Sequence, residues 1–104
     1  MIVEYTRYKI EEPRREAFEK DYAQAAKFLQ ASKHCLAHEL TQCTEDADFY
    51  VLRLEWDSEE GHLKGFRTSS EFQSFFAHVK PYFHDIEEMR HYRVTATVGR
   101  RQSS

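Results

Sequence analysis

The sequence predicts an α+β protein of ferredoxin-like β-α-β-β-α-β order, with an antiparallel sheet that carries helices on one face. Three observations support this prediction. Apolar residues alternate along four separate segments, which is the period of a strand. Two other segments carry apolar residues at i, i+3 or i+4 and i+7, which is one stripe of a helix. These segments follow one another as strand, helix, two strands, helix and strand.

The stretch 53–79 contains both periods and is the centre of the prediction. Up to Trp56 the apolar residues alternate, whereas after Ser69 they follow a helical stripe that consists of Phe72, Phe75, Phe76 and Val79. Between the two, Ser58 is suited to cap a short helix, because its oxygen can accept a hydrogen bond from an otherwise unpaired backbone amide. We therefore expect a strand that ends in Trp56, a short capped helix and then an aromatic helix.

The first strand and first helix follow from residues 2–33. β-branched and aromatic residues dominate Ile2 to Ile10, which favours a strand, although neither of its faces is wholly apolar. Pro13 is tolerated in the first turn of a helix, so the helix should begin at Glu11 or Glu12 and end near residues 31–33. Its predicted core-facing stripe is Phe18, Tyr22, Ala25 and Leu29.

The remaining strands are predicted at 35–43, 49–56 and 90–98. The polar run 44–48 turns the chain back, so the first two of these should pair as an antiparallel hairpin. Pro81 should end or kink the aromatic helix. Apolar residues continue at helical spacing beyond it, which predicts a further turn or two: Tyr82, Phe83, Ile86 and Met89. We expect one domain over residues 1–98 and a short, basic, flexible tail over 99–104.

Bulky rings fill most of the predicted core. Of the 104 residues, 40% are hydrophobic and 14% aromatic, with eight Phe and six Tyr. A single sheet under one helical layer cannot cover all of these rings, so the outer face of the sheet should expose some of them. The composition therefore predicts a homodimer.

Charge and cysteine content exclude several classes of function. The net charge of −3, with both signs interspersed, gives no support for a nucleic-acid or membrane-surface partner. No apolar run reaches membrane-spanning length, and the N-terminus lacks the apolar region of a signal peptide. Cys35 and Cys43 fall in one predicted strand and cannot bridge each other while it is extended. We therefore expect a reduced, cytoplasmic protein with no metal site.

Several motifs spread along the chain occur together in one known family: Tyr50-x-Leu52-x-Leu54-Glu55-Trp56-Asp57-Ser58, His62-Leu63, Ser69-x-x-Phe72, Phe76 to Pro81, Phe18 with Tyr22, and His34-Cys35-Leu36. On these residues, nearly the whole chain resembles the antibiotic biosynthesis monooxygenase superfamily, whose members are small dimeric α+β barrel proteins. The resemblance implies a homodimer whose two sheets close into one barrel, with a pocket between sheet and helices in each protomer.

The resemblance also implies a chemistry. Enzymes of this type need no metal or flavin, because an electron-rich aromatic substrate itself delivers an electron to oxygen. A cofactor-independent monooxygenase acting on a small aromatic or quinol-like compound is therefore implied. The same fold also hosts haem-degrading enzymes, isomerases and members with no known reaction, so the fold alone does not decide the activity.

Two departures from the family pattern bear on this expectation. Many relatives have a His nine positions after the Trp, where this chain has Gly65. Haem-degrading relatives use an Asn, a Trp and an axial His, and the corresponding positions here hold other residues: Thr6 or Arg7, Phe66 and Phe76. His78 lies two residues from the expected haem ligand. Haem degradation of that kind is therefore disfavoured.

Within the resemblance, two kinds of site residue are predicted. A base, His62 or His38, would deprotonate the phenol, and Arg53 or Arg93 would hold the anion. The substrate-binding walls would be aromatic: Trp56, Phe66, Phe72, Phe76 and Tyr50. Each has a structural alternative. Trp56 and Tyr50 can serve as packing residues, and His62 as an exposed helix residue. The charged strand residues can form an ion-pair network that fixes the dimer register: His38, Arg53, Glu55, His91 and Arg93.

Two alternative functions remain open. The first is a haem-handling accessory protein that works with a truncated haemoglobin, since some relatives occur joined to such globins and the chain has six histidines. The second is a non-catalytic dimer that binds a metabolite. Addition of haemin distinguishes them, because a Soret shift that is lost in one His→Ala variant supports only the haem hypothesis.

Overall fold

The four strands form one antiparallel sheet in the order β2-β3-β1-β4, as the ferredoxin-like prediction requires. The structure is a computed structural model that describes residues 1–101. Its strands are β1 (Ile2–Lys9), β2 (Cys35–Gln42), β3 (Phe49–Trp56) and β4 (Ile86–Arg93). Two helices, α1 (Glu12–Ala31) and α2 (Ser70–Val79), pack on one face. Of the predicted tail, residues 102–104 lie outside the described residues.

Two short helical turns flank α2. The first is a π-helical turn over Gly61–Phe66 and is called the short helix below; the second is a 3₁₀ turn over Lys80–Asp85. Ser58 Oγ accepts a hydrogen bond from the Gly61 amide at 2.8 Å, which confirms the predicted cap. Ser69 Oγ accepts one from the Phe72 amide at 3.2 Å and starts α2. Both ends of the connection between β3 and α2 are therefore fixed by hydroxyl caps.

The helix-facing side of the sheet holds the core. The predicted α1 stripe is buried: Phe18, Tyr22, Ala25 and Leu29. The Phe18 ring contacts Tyr50 and Tyr82, each with centroids 4.9 Å apart, and Tyr8 at 5.0 Å. Such edge-on ring contacts add to the stabilisation that burial of each ring provides. The prediction that rings, rather than aliphatic side chains, fill this core is confirmed.

The short helix packs closely on a histidine that precedes β2. His34 Nδ1 lies 2.9 Å from Asp57 Oδ2, and its ring lies against Gly61 and Gly65. A Cβ atom at Gly65 would overlap Cδ2 and Nε2 of His34 and lie 3.1 Å from Cε1. Only glycine at position 65 allows this approach, because any side chain would need the space that the imidazole occupies.

The prediction for the end of the chain was wrong in its boundaries. Strand β4 covers Ile86–Arg93, not 90–98, and the helical spacing at Ile86 and Met89 does not continue a helix. Pairing with β1 sets the bounds of β4, because Tyr8 pairs with Ile86 at one end and Ile2 pairs with Arg93 at the other. Since β1 starts at Ile2, residues 94–98 have no residues of β1 left to pair with. Their alternating pattern therefore does not form a strand.

The outer face of the sheet carries both rings and charges. Tyr5 and Tyr92 are 39% and 47% exposed and meet edge to face, with centroids 5.5 Å apart. Arg7 lies over the Phe49 ring at 4.4 Å. The rings expected on this face are thus present, although arginines cover part of them. Among residues 1–101, no helix combines the length and apolarity that crossing a membrane requires.

Candidate functional site

A cavity of about 220 Å³ lies between the helix-facing side of the sheet, the short helix and α2. Aromatic rings form much of its wall and come from β1, α1, β3, the short helix, α2 and the turn that follows it: Tyr8, Tyr22, Trp56, Phe66, Phe72, Phe75, Phe76 and Phe83. The rings of Phe66, Phe72 and Phe75 contact each other at centroid distances of 5.5–6.5 Å. Such a wall suits a flat apolar ligand.

One end of the cavity is polar. Glu4 is buried there, and its Oε1 accepts a hydrogen bond from Trp56 Nε1 at 3.1 Å. His62 Nε2 lies 3.3 Å from the same Oε1, and His62 Nδ1 lies 2.9 Å from His91 Nε2. Thr6 donates to the other oxygen, Oε2, at 2.9 Å. Glu4, His62 and His91 are named the polar cluster below.

Three elements bring the polar cluster together. Strand alternation turns Glu4 towards the helices, and the β1–β4 register sets His91 directly opposite it. His62 comes from the short helix, where the Ser58 cap fixes the first turn. The imidazole then stacks on the indole of Trp56, with centroids 4.3 Å apart and planes inclined by 23°. The cluster therefore depends on long-range pairing and on one local cap.

Burial decides the protonation state of His62. Loss of solvation is the largest effect, and the nearby His91 and Arg67 add to it, so the pKa of His62 falls to about 4. The imidazole is consequently neutral at pH 7. Arg67 follows the short helix and lines the same cavity. Its side chain is exposed, and its guanidinium lies over the Phe72 ring, 5.8 Å from the ring centroid.

Five of the predicted site residues line this cavity. They are the base candidate His62 and four wall residues: Trp56, Phe66, Phe72 and Phe76. His62 is 3% exposed, so it is not an exposed helix residue. Trp56 is fully buried, and it both packs in the core and donates a hydrogen bond into the polar cluster.

The other four predicted site residues lie away from the cavity. The Tyr50 hydroxyl donates to Glu19 of α1, and burial raises its pKa to about 12. His38 is exposed on β2, beside α1. Arg53 lies on the outer face, where it donates to Tyr5 Oη at 3.3 Å and Glu55 Oε2 at 2.6 Å, and Arg93 is exposed at the end of β4. The strand alternation that buries Leu52 and Leu54 points Arg53 to the opposite face.

Sequence reasoning missed the arginine and the carboxylate of the site. Arg67, rather than Arg53 or Arg93, is the arginine that lines the cavity, and Glu4 supplies the carboxylate. A signal for Glu4 was present, since Glu4 and Thr6 share a strand face with Ile2, Tyr8 and Ile10, so burying that face buries them too. His91 was considered only for an ion-pair network.

Comparisons with known proteins agree with this fold. The family model described as antibiotic biosynthesis monooxygenase matches residues 1–78. The uncharacterized protein YczJ of Bacillus subtilis (strain 168) is 31% identical over 93 residues, covering 89% of this chain and 98% of the relative.

Solved structures give the same result at the level of the fold. A candidate antibiotic biosynthesis monooxygenase from Bordetella bronchiseptica superposes with a TM-score of 0.78 at 24% identity, covering 90% of this chain and 96% of that one. One from Deinococcus radiodurans gives a TM-score of 0.76 at 9% identity, covering 98% and 100% of the two chains.

Proposed function

Because the chain belongs to the antibiotic biosynthesis monooxygenase family, we propose that it is a cofactor-independent monooxygenase that oxidises a small phenol or quinol-like compound. The observation that carries this proposal is the aromatic cavity that both His62 and Arg67 line. The cavity would take the ring of the substrate, and the polar end would take its hydroxyl group.

The size of the cavity limits the substrate to one or two rings. An apolar cavity of about 150 Å³ in a protein core is large enough for benzene, and this one measures about 220 Å³. A porphyrin needs much more room, which argues against haem in this cavity. His78, the histidine nearest the expected haem ligand, stacks on Phe28 instead of lining the cavity. The haem-handling alternative therefore has no support from this site.

The chemistry balances without a further reductant. A phenol with hydrogen para to its hydroxyl loses four electrons to O2 and becomes a quinone. One oxygen atom forms the new carbonyl, and the other leaves as water with the two hydrogen atoms that the substrate gives up. The protein then needs only to stabilise the phenolate, exclude water and hold O2 beside the ring.

Two residues assist formation of the phenolate: Arg67 stabilises its charge, and His62 takes up its proton. A phenol with a pKa of about 10 costs about 4 kcal/mol to ionise at pH 7. The positive charge of Arg67 offsets part of this cost. His62, whose pKa is about 4, cannot retain the proton, so it serves as a relay. In this relay His62 takes the phenol proton at Nε2, the nitrogen 3.3 Å from Glu4 Oε1, and gives up the proton on Nδ1 to His91 Nε2, 2.9 Å away. The side chain of His91 is 29% exposed and passes the proton to solvent.

The test is oxygen consumption on a panel of phenols and quinols. Arg67→Met should lower kcat/KM by about one hundredfold, on the scale of losing one charge-stabilising donor. Arg93→Met, which removes an exposed arginine outside the cavity, is the matched control and should leave turnover unchanged. No oxygen consumption by the wild type, or equal loss in both variants, would contradict the proposal. Binding of phenols without turnover would favour the non-catalytic binding module.

We also propose that the protein is a homodimer. The support is the outer face of the sheet, where Tyr5 and Tyr92 are exposed side by side. Covering such rings is a common cause of self-association. Sedimentation should give twice the mass of the chain, and Tyr5→Lys should weaken association. A stable wild-type monomer at micromolar concentration would contradict this proposal.

A further inference from the structure

The polar cluster has the composition of a metal-binding set. Glu4, His62 and His91 each offer one ligand atom, and these atoms lie within 4.8 Å of one another. Two imidazoles and a carboxylate are ligands that zinc, cobalt and iron(II) accept in proteins. Sequence reasoning predicted no metal site on the ground of the cysteine pattern, and it had no signal for these three residues, which are far apart in the chain and share no spacing motif.

We propose that Glu4, His62 and His91 bind one divalent transition-metal ion, of which Zn2+ and Co2+ are the probes, and that the bound ion blocks the proton relay. The proposed metal binding is argued from the geometry of the cluster alone. The proposed block of proton transfer rests on the proposed function, because it concerns the path from His62 to His91.

Two of the three distances within the cluster are close to those of a formed site, and the third, between His62 and Glu4, is at most 4.8 Å. His62 Nδ1 and His91 Nε2 are 2.9 Å apart, and Glu4 Oε1 lies 3.6 Å from His91 Nε2. Nitrogen and oxygen ligands at about 2.0–2.2 Å from zinc are separated from one another by roughly 3 Å. Small rotations of the side chains would therefore bring three ligand atoms to one ion.

The charge of the site also favours a cation. Glu4 is 5% exposed, and in the part of the chain that the structure describes its only ion-pair partners are the imidazoles of His62 and His91. A buried carboxylate without a cationic partner is costly, and a divalent ion would offset that cost.

Neighbouring side chains already orient the carboxylate. Trp56 Nε1 donates to Glu4 Oε1 and Thr6 Oγ1 donates to Glu4 Oε2. Hydrogen bonds of this kind hold the ligands of natural metal sites in place. The 29% exposure of the His91 side chain gives an ion a way in from solvent, and three protein ligands leave a position free for water.

The chain contains its own reporter for this test. Trp56 is the single tryptophan, it bonds to Glu4, and its ring stacks on His62. Titration with Co2+ should therefore quench the fluorescence of Trp56 and produce visible absorption bands, both saturating at one ion per chain. His91→Gln should weaken binding by at least about tenfold, since it removes a ligand. Glu4→Gln should do the same.

The matched control is His38→Gln, which removes an exposed histidine outside the cavity and should bind Co2+ like the wild type. Thermal melting of each variant identifies loss of the fold, and His91→Gln is the decisive variant because it changes a partly exposed side chain. No quenching and no absorption bands at millimolar Co2+ would overturn the proposal, as would equal affinity of wild type and His91→Gln.

Zn2+ tests the blocking step separately. It should inhibit oxygen consumption by the wild type over the same concentration range in which it displaces Co2+. Binding without any phenol turnover would leave the metal site standing and contradict only the proposed function. Turnover that is unaffected by saturating Zn2+ would overturn the blocking step.

Discussion

Gly65→Ala tests whether the close packing of His34 holds the short helix in place. A Cβ at position 65 would come closer than 3.0 Å to His34 Cδ2 and Nε2, a separation that Cβ atoms essentially never show. The ring cannot simply turn away, because its Nδ1 is held 2.9 Å from Asp57 Oδ2. Either the histidine loses this contact or the short helix moves outward, and overpacking of this kind costs about 1–3 kcal/mol. Urea unfolding followed by Trp56 fluorescence measures the change.

A double-mutant cycle separates the clash from other effects of the substitution. His34→Ala removes the ring, so Gly65→Ala should cost much less in that background, and the coupling should be favourable by about 1–2 kcal/mol. Gly99→Ala is the matched control, since a Cβ there meets nothing within 4 Å. Equal destabilisation by Gly65→Ala with and without His34 would refute the reasoning. Since the short helix carries His62, Gly65→Ala should also weaken Co2+ binding.

Three further outcomes are expected. Burial raises the pKa of the Cys35 thiol to about 11, so in Cys43→Ser the remaining thiol should react slowly with iodoacetamide at pH 8 and faster towards pH 11. In Cys35→Ser the exposed Cys43 should react readily with iodoacetamide at pH 8. Equal reaction rates of the two variants at pH 8 would contradict the difference in burial between the two thiols. Ser69→Ala removes the hydroxyl that accepts a hydrogen bond from the Phe72 amide, so it should lower the free energy of unfolding by about 1 kcal/mol. Urea unfolding measures the loss, and Ser69→Asn, whose side chain can still cap the helix, is the control. Phe18→Ala removes a fully buried ring and should cost about 3–5 kcal/mol by the same assay, so a loss near zero would contradict the assignment of the core.

Local patterns predicted most of the fold. The bounds of β3, the α1 stripe and the Ser58 cap all depend on residues close in the chain, where side-chain spacing and hydrogen-bond capacity decide the structure. The extent of β4 depends instead on where its partner β1 begins, and the alternation at 94–98 carries no information about that partner. A local pattern therefore misplaced the strand.

The site, like the fold, was predictable where it depends on local sequence patterns and not where it depends on long-range pairing. The aromatic wall was predictable, because the helical stripe of α2 and the end of β3 both point to the core. The polar end was not, because Glu4 and His91 meet only through the pairing of β1 with β4, and Arg67 reaches the cavity wall only through the path of the short helix. Arginines were expected to come from the strands, whereas strand alternation turns Arg53 away from the helices.

Strand β4 has a consequence for the polar cluster. Among residues 1–101 it lies at the edge of the sheet, pairs with β1 alone and is exposed along nearly its whole length, yet it carries His91 of the cluster and Met89 of the cavity wall. Glu4 lies on β1 and His91 lies directly opposite it on β4, so the polar cluster is complete only while this edge strand stays paired with its neighbour.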